Sequence, residues 1–190
     1  PKYLNSPETK IFDKSRNLYG MNEAKNSRRP NFIICEGYMD VISLHQAGFT
    51  NAVASLGTAF TSGQASLMKR YVQEVLLTYD SDKAGVKATL RAIPILKEAG
   101  LSARVISLSP YKDPDEFIKN MGSEAFEERI IQAKNSFLYE IEMLKREYQM
   151  EDPEQKTRFY QETAKKLLGF PEELERTTYM EAICKEHQID

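Results

Sequence analysis

At 190 residues, with 41% hydrophobic and 28% charged side chains, the chain suits one ordinary domain with a real core, or one domain plus an appendage. No apolar run approaches the roughly 18 residues of a membrane-spanning helix, and Cys35 and Cys184 stand alone without a CxxC or a histidine pair, which argues against a membrane protein, a zinc site or a disulfide scaffold and for free thiols in a cytoplasmic setting. The net charge of −2 divides unevenly: residues 1–30 hold seven basic against three acidic side chains, a balance of +4, and the remainder carries −6, a pattern compatible with nucleic acid on one side of the molecule.

Residues 1–30 show little periodicity beyond a short helix ending near Lys25. They read as a basic leader, the remnant of a preceding subdomain in a chain that starts without a methionine. From Asn31 the text becomes regular. Residues 32–35 form an apolar strand, and residues 38–47 repeat apolar side chains at helical spacing before Gly48 closes the helix. A second strand at 52–54 leads through Ser55-Leu56-Gly57-Thr58 to a helix from Ser62, its expected N-cap, to Tyr71. The strand at 75–79 runs into Asp80-Ser81-Asp82. A helix follows over 83–99, with Asp82 suited to cap it and Pro94 expected to kink it or to mark a restart.

A fourth strand at 104–108 precedes Asp113-Pro114-Asp115, where another helix begins. Beyond that point the pattern is helical over 123–133, 136–148, 153–168 and 171–187. Strands alternating with helices predict an α/β fold, a parallel sheet of about four strands flanked by helices, followed by an all-helical subdomain. The expected division is a leader over 1–30, a sheet domain over 31–120 and a helical subdomain over 121–190.

The chemistry gathers where these strands end. Glu36 follows the first, with Asp40 one helical turn on; Asp80 and Asp82 follow the third, and Asp113 and Asp115 the fourth. In a parallel sheet all six carboxylates point toward one rim, where ligands of open α/β sheets bind. So many like charges raise one another's pKa unless a cation intervenes, and hard oxygen donors call for Mg²⁺ or Mn²⁺. Carboxylate-bound metal beside basic residues suits chemistry on phosphates. His45 and His187 have no partner in register and read as structural. Tyr79 can pack or stack on a base, and Gly57-Thr58 can be a plain turn or a phosphate-facing loop.

The order Glu36-Gly37-Tyr38-Met39-Asp40, then Asp80-Ser81-Asp82, then Asp113-Pro114-Asp115 resembles the Toprim domain. Adding Pro1-Lys2-Tyr3-Leu4-Asn5-Ser6-Pro7, Leu18-Tyr19-Gly20 and Ala54-Ser55-Leu56-Gly57-Thr58, the chain resembles the bacterial DnaG-type primases over about its first 130 residues. The resemblance implies a Toprim fold and a DNA primase, a metal-dependent nucleotidyltransferase that joins ribonucleoside triphosphates on a single-stranded DNA template. It implies Glu36, Asp80 and Asp82 as catalytic residues. It assigns Glu36, Asp40, Asp80, Asp82, Asp113 and Asp115 to the Mg²⁺ or Mn²⁺ site, and Lys2, Tyr3, Asn5 and Lys14 to nucleotide and template contacts. Ser81 departs from the family, which usually has glycine there. The family also carries a zinc-binding domain, a basic subdomain and a helicase-binding domain outside these residues, so the replicative helicase is an expected partner only through a missing part. This piece is expected to bind metal but to prime poorly alone. Two other readings use the same acids: a Toprim nuclease or topoisomerase fragment, and a non-catalytic scaffold whose helical tail binds a partner.

Overall fold

The structure, a computed structural model, describes residues 6–187. The described residues divide into two compact units, one up to Ser136 and one from Phe137 onward.

The first unit is built on a five-stranded sheet in the order β2-β1-β3-β4-β5. Strands β1 (Asn31–Cys35), β2 (Ala52–Ala54), β3 (Glu74–Thr78) and β4 (Ser102–Val105) are parallel, as the strand–helix alternation predicted. The central strands are buried almost end to end, the mark of a sheet covered on both faces. Helix α2 (Tyr38–Gln46) joins β1 to β2, α3 (Ser62–Lys69) joins β2 to β3, α4 (Lys83–Glu98) joins β3 to β4, and α5 (Pro114–Ile131) follows β4. Since β2 and β3 lie on opposite sides of β1, the chain reverses direction across the sheet at the β1/β3 boundary. That boundary is the switch point at which doubly wound sheets hold ligands.

One core lies under α2 and α5, where Val41, Leu44, Phe117 and Phe126 meet Ile33, Cys35, Leu76 and Ile106. Phe126 contacts Phe49 and Phe117 edge-on, with ring centroids 4.8 and 5.9 Å apart. Residues of α5 beyond 120 therefore belong to the sheet unit, and the expected boundary at 120/121 falls inside this helix, two residues before it bends at Gly122 (φ 82°). After α5 the chain adds β5 (Lys134–Asn135) antiparallel to β4, a strand that its two polar residues gave no means of predicting. Two smaller differences concern caps and breaks. Thr61, not Ser62, caps α3, because its hydroxyl accepts from the Gln64 N–H while the Gln64 side chain returns to the Thr61 N–H. Helix α4 runs on through Pro94, which lies on its exposed face.

The leader is fastened to the sheet. Tyr19 and Ala54 exchange backbone hydrogen bonds of 2.8 and 3.1 Å beside β2. The buried Gln64 amide donates to the carbonyls of Lys14 and Asn17 at 3.0 and 2.9 Å, and the Thr61 hydroxyl donates to the Ser15 carbonyl at 2.5 Å. These contacts hold the 3₁₀ turn Lys14–Arg16, and α1 (Met21–Ala24) follows it. A Cβ on Gly63 would lie 2.7 Å from the Ser15 carbonyl oxygen, so the close approach requires glycine.

The second unit packs α6 (Ser136–Lys145), α7 (Pro153–Leu167) and α8 (Glu173–His187) around Ile141, Phe159 and Ile183. Phe170 stacks on Tyr179 at 4.6 Å.

Candidate metal and phosphate site

Strand β1 delivers Glu36 to the rim with its side chain exposed. The turn into α2 is set by Asp40, whose Oδ2 accepts the Gly37 N–H at 3.1 Å. The other oxygen of Asp40 accepts the Asp115 N–H at 3.3 Å, so one buried carboxylate pins the starts of α2 and α5 together. Burial pushes Asp40 up to about 6, against the two N–H bonds and with help from Asp113 and Asp80. Asp115 is similarly engaged: it accepts from the Ser43 hydroxyl and from Lys119 Nζ, the latter at 2.6 Å.

Strand β3 delivers Asp80, which burial and then the charge of Glu36 push up to about 6, with Lys112 Nζ, 3.7 Å away, pulling the other way. Asp82 caps α4 through one oxygen on the Gly85 N–H at 2.8 Å, and Asp113 caps α5 through one oxygen on the Glu116 N–H at 2.8 Å. Ser81 donates its N–H to the Lys112 carbonyl at 3.2 Å and its hydroxyl to the Tyr111 carbonyl at 3.4 Å, which ties the turn after β3 to the loop after β4.

The six predicted carboxylates thus differ in what they have left to offer. Asp40 and Asp115 are committed to protein donors. Asp82 and Asp113 each keep one oxygen clear of its cap bond, and Glu36 and Asp80 accept no hydrogen bond among the described residues. No three His, Cys, Asp or Glu side chains among the described residues converge closely enough to form a ready-made metal cage. The donor chemistry nonetheless fits a hard cation. Mg²⁺ needs only one or two carboxylates when waters and substrate phosphates complete its shell, and after burial it is the neighbouring charge of Glu36, which a cation would offset, that raises Asp80.

Of the predicted nucleotide-binding residues, Lys2, Tyr3 and Asn5 lie outside the described residues. Lys14 sits on the leader beside α3, held through its backbone, and bonds to none of the six acids. Tyr79 lines a cavity of about 350 Å³ with Glu36, Ser55, Thr58, Phe60 and Arg91. Burial pushes its hydroxyl up, with Cys35 and Glu36 adding to the shift.

Two residues of this site escaped the sequence reading. Gly85 is one: a Cβ there would fall 1.9 Å from the Asp80 carbonyl oxygen, so this glycine lets α4 start directly against the acidic turn. A glycine in a helix's first turn, where alanine is the better helix former, was the available signal. Arg91 is the other, and its spacing from Lys83 and Lys87 could have singled it out.

A parallel sheet with this strand order and acids after β1, β3 and β4 is the Toprim arrangement, and a family model described as Toprim-like matches residues 33–118. A second model, DNA primase catalytic core, N-terminal domain, matches residues 1–25. The DNA primase of Listeria innocua is 35% identical over all of this chain and 31% of its own length, and that of Clostridium acetobutylicum is 55% identical over 74% of this chain and 24% of its own. The Escherichia coli primase catalytic core superposes with a TM-score of 0.80 at 35% identity, covering 97% of this chain and 61% of that one. A DnaG primase catalytic domain bound to single-stranded DNA superposes with a TM-score of 0.81 at 34% identity, covering 97% and 60%. The chain belongs to the DnaG-type DNA primases, and it spans a part of their catalytic core, about a third or less of the length of the curated relatives it matches.

Proposed function

We propose that this chain supplies the metal-dependent phosphoryl-transfer half of a primer-synthesis site, which joins ribonucleoside triphosphates on a single-stranded DNA template. The observation that carries this reading is the parallel pairing of β1 and β3 at the switch point, with Cys35 opposite Thr78, so that Glu36 and Asp80 follow neighbouring strand ends on one rim. Glu36 and Asp80, with the remaining oxygens of Asp82 and Asp113, would hold Mg²⁺ or Mn²⁺. Asp40 and Asp115 would serve to hold the two helix starts in place around them. A bound cation stabilises negative charge developing on the transferred and leaving phosphates. Glu36, exposed and lining the cavity, would use an oxygen not engaged with the cation to accept the proton of an attacking 3′-hydroxyl, and Lys112 beside Asp80 would add a positive charge at the same rim.

The single-stranded DNA complex of a related catalytic domain supports a DNA template as partner. The template groove would need further protein, so residues 1–190 alone are expected to synthesise primers poorly. The test is a calorimetric titration of the 190-residue chain with Mn²⁺. Binding that Asp80→Asn and Glu36→Gln each weaken at least tenfold is expected. Binding unchanged by either substitution, or none at all, would refute the proposed ligand set.

A further inference from the structure

Helix α4 turns Gly85, Thr89, Ala92, Ile93 and Leu96 into the fold and leaves Lys83, Lys87 and Arg91 exposed. Steps of four residues place these three cations along one side of the helix, about 6 Å apart and some 12 Å from first to last. None of the three forms an ion pair or hydrogen bond among the described residues, although Asp80 and Asp82 stand within a turn of Lys83. Elsewhere in this unit Lys112 pairs with Asp80, Lys119 with Asp115, Arg29 with Glu127 and Arg104 with Glu74.

The row is locally unfavourable. Like charges at four-residue spacing repel one another along a helix face, and Lys83 stands at the positive end of the helix dipole. The sole acid within α4, Glu98, lies at its far end. The stripe also leads somewhere: Arg91 and Ala88 line the cavity that holds Glu36, with Phe60 and Tyr79 supplying aromatic surface. A single phosphate would meet one of these cations. Three of them spread over some 12 Å beside an aromatic cavity fit a polymeric anion with flat bases.

Resting on the proposed reading of Glu36 and Asp80, we propose that Lys83, Lys87 and Arg91 form a track for the phosphates of one nucleic-acid strand, whose terminal or flanking nucleotide enters the Glu36 cavity. Template DNA and growing RNA share this phosphodiester chemistry, and the experiment separates them.

Fluorescence anisotropy would measure binding of the 190-residue chain to labelled oligothymidylate and oligouridylate, in EDTA and over a range of salt. Three phosphate contacts to a single strand predict that K83Q/K87Q/R91Q lowers the slope of log K against log salt by about 2. A roughly tenfold loss of affinity at low salt is expected, and K83R/K87R should retain binding. A larger loss on oligothymidylate assigns the track to template, and a larger loss on oligouridylate to primer. Unchanged slope and affinity in the triple variant, or no binding of either oligomer by the unaltered chain, would overturn the proposal. Because these measurements exclude metal, a failed track leaves the Mn²⁺ titration free to uphold the site, and a failed titration leaves the anisotropy result standing.

Discussion

Replacing Gly85 with alanine sets two physical effects of opposite sign against each other. On helix propensity alone the change should stabilise the start of α4, by up to about 1 kcal/mol. The structure predicts the reverse. The new methyl would lie 1.9 Å from the Asp80 carbonyl oxygen, 2.6 Å from its carbonyl carbon and 2.9 Å from its nitrogen. Ordinary contact needs at least 3.4 Å, so the Asp80 peptide must retreat by roughly 1.5 Å or the first turn of α4 must unwind. Because the obstructing atoms are backbone, no rotamer change relieves the clash. Overpacking of this kind costs about 1–3 kcal/mol, which outweighs the propensity gain. The expected net loss of about 1–2 kcal/mol lowers the melting temperature by several degrees in a domain of this size. The same retreat carries the Asp80 carboxylate away from Glu36, and a misplacement near 1 Å is worth on the order of 10²-fold at a site that depends on geometry. Circular-dichroism melting in EDTA and Mn²⁺ titration of G85A read the two consequences separately. A melting temperature that rises, with Mn²⁺ affinity unaltered, would refute the reasoning.

Three further outcomes are expected. The raised pKa of Asp80 means that between about pH 4 and 6 the native state holds a proton that the unfolded chain has released, so this group's contribution to stability is present below about pH 4 and lost as pH rises through about 6. In metal-free buffer the melting temperature of Asp80→Asn relative to the unaltered chain should therefore climb across that window and level off above it; a difference independent of pH would contradict the shift. Gln64→Leu removes the amide that the Lys14 and Asn17 carbonyls share and leaves both without this donor, so a loss of about 2–3 kcal/mol and faster proteolysis within residues 10–17 are expected, and protection equal to the unaltered leader would count against the clasp. A chain ended after Ser136 should melt cooperatively, whereas one ended after Asn120 loses Phe126 and β5 and should not; cooperative melting of the shorter piece would show that the second half of α5 is dispensable.

Most of the sheet was legible because its strands are short apolar runs separated by helices with ordinary caps: residues 32–35, 52–54 and 75–79 lie in or beside β1, β2 and β3, and Asp82 caps α4 as its position suggested. What escaped was tertiary. The β5 pairing is made by Lys134 and Asn135, whose side chains carry no strand signal, and the attachment of residues 123–131 to the sheet depends on Phe126 meeting Phe49, far away in sequence. At the site, the sequence placed six acids at strand ends but could not show how each oxygen is used. Asp40 and Asp115 look like Glu36 in a list of carboxylates, and only their hydrogen bonds to Gly37, Ser43 and Lys119 set them apart. Gly85 and Arg91 matter through a backbone carbonyl and a cavity wall, neither of which a linear reading can see.

The Tyr19–Ala54 bridge and β5 stand at opposite margins of the sheet, and together they leave it no long bare edge. An exposed parallel strand is a template on which other chains can add, and proteins protect such margins with short, polar or covered strands. Here the leader shields β2 with one pair of backbone bonds, while a two-residue antiparallel strand ends the ladder beyond β4. A segment cut to begin after Tyr19 would uncover the β2 margin and become prone to self-association at high concentration, even with every acidic residue of the rim still in place.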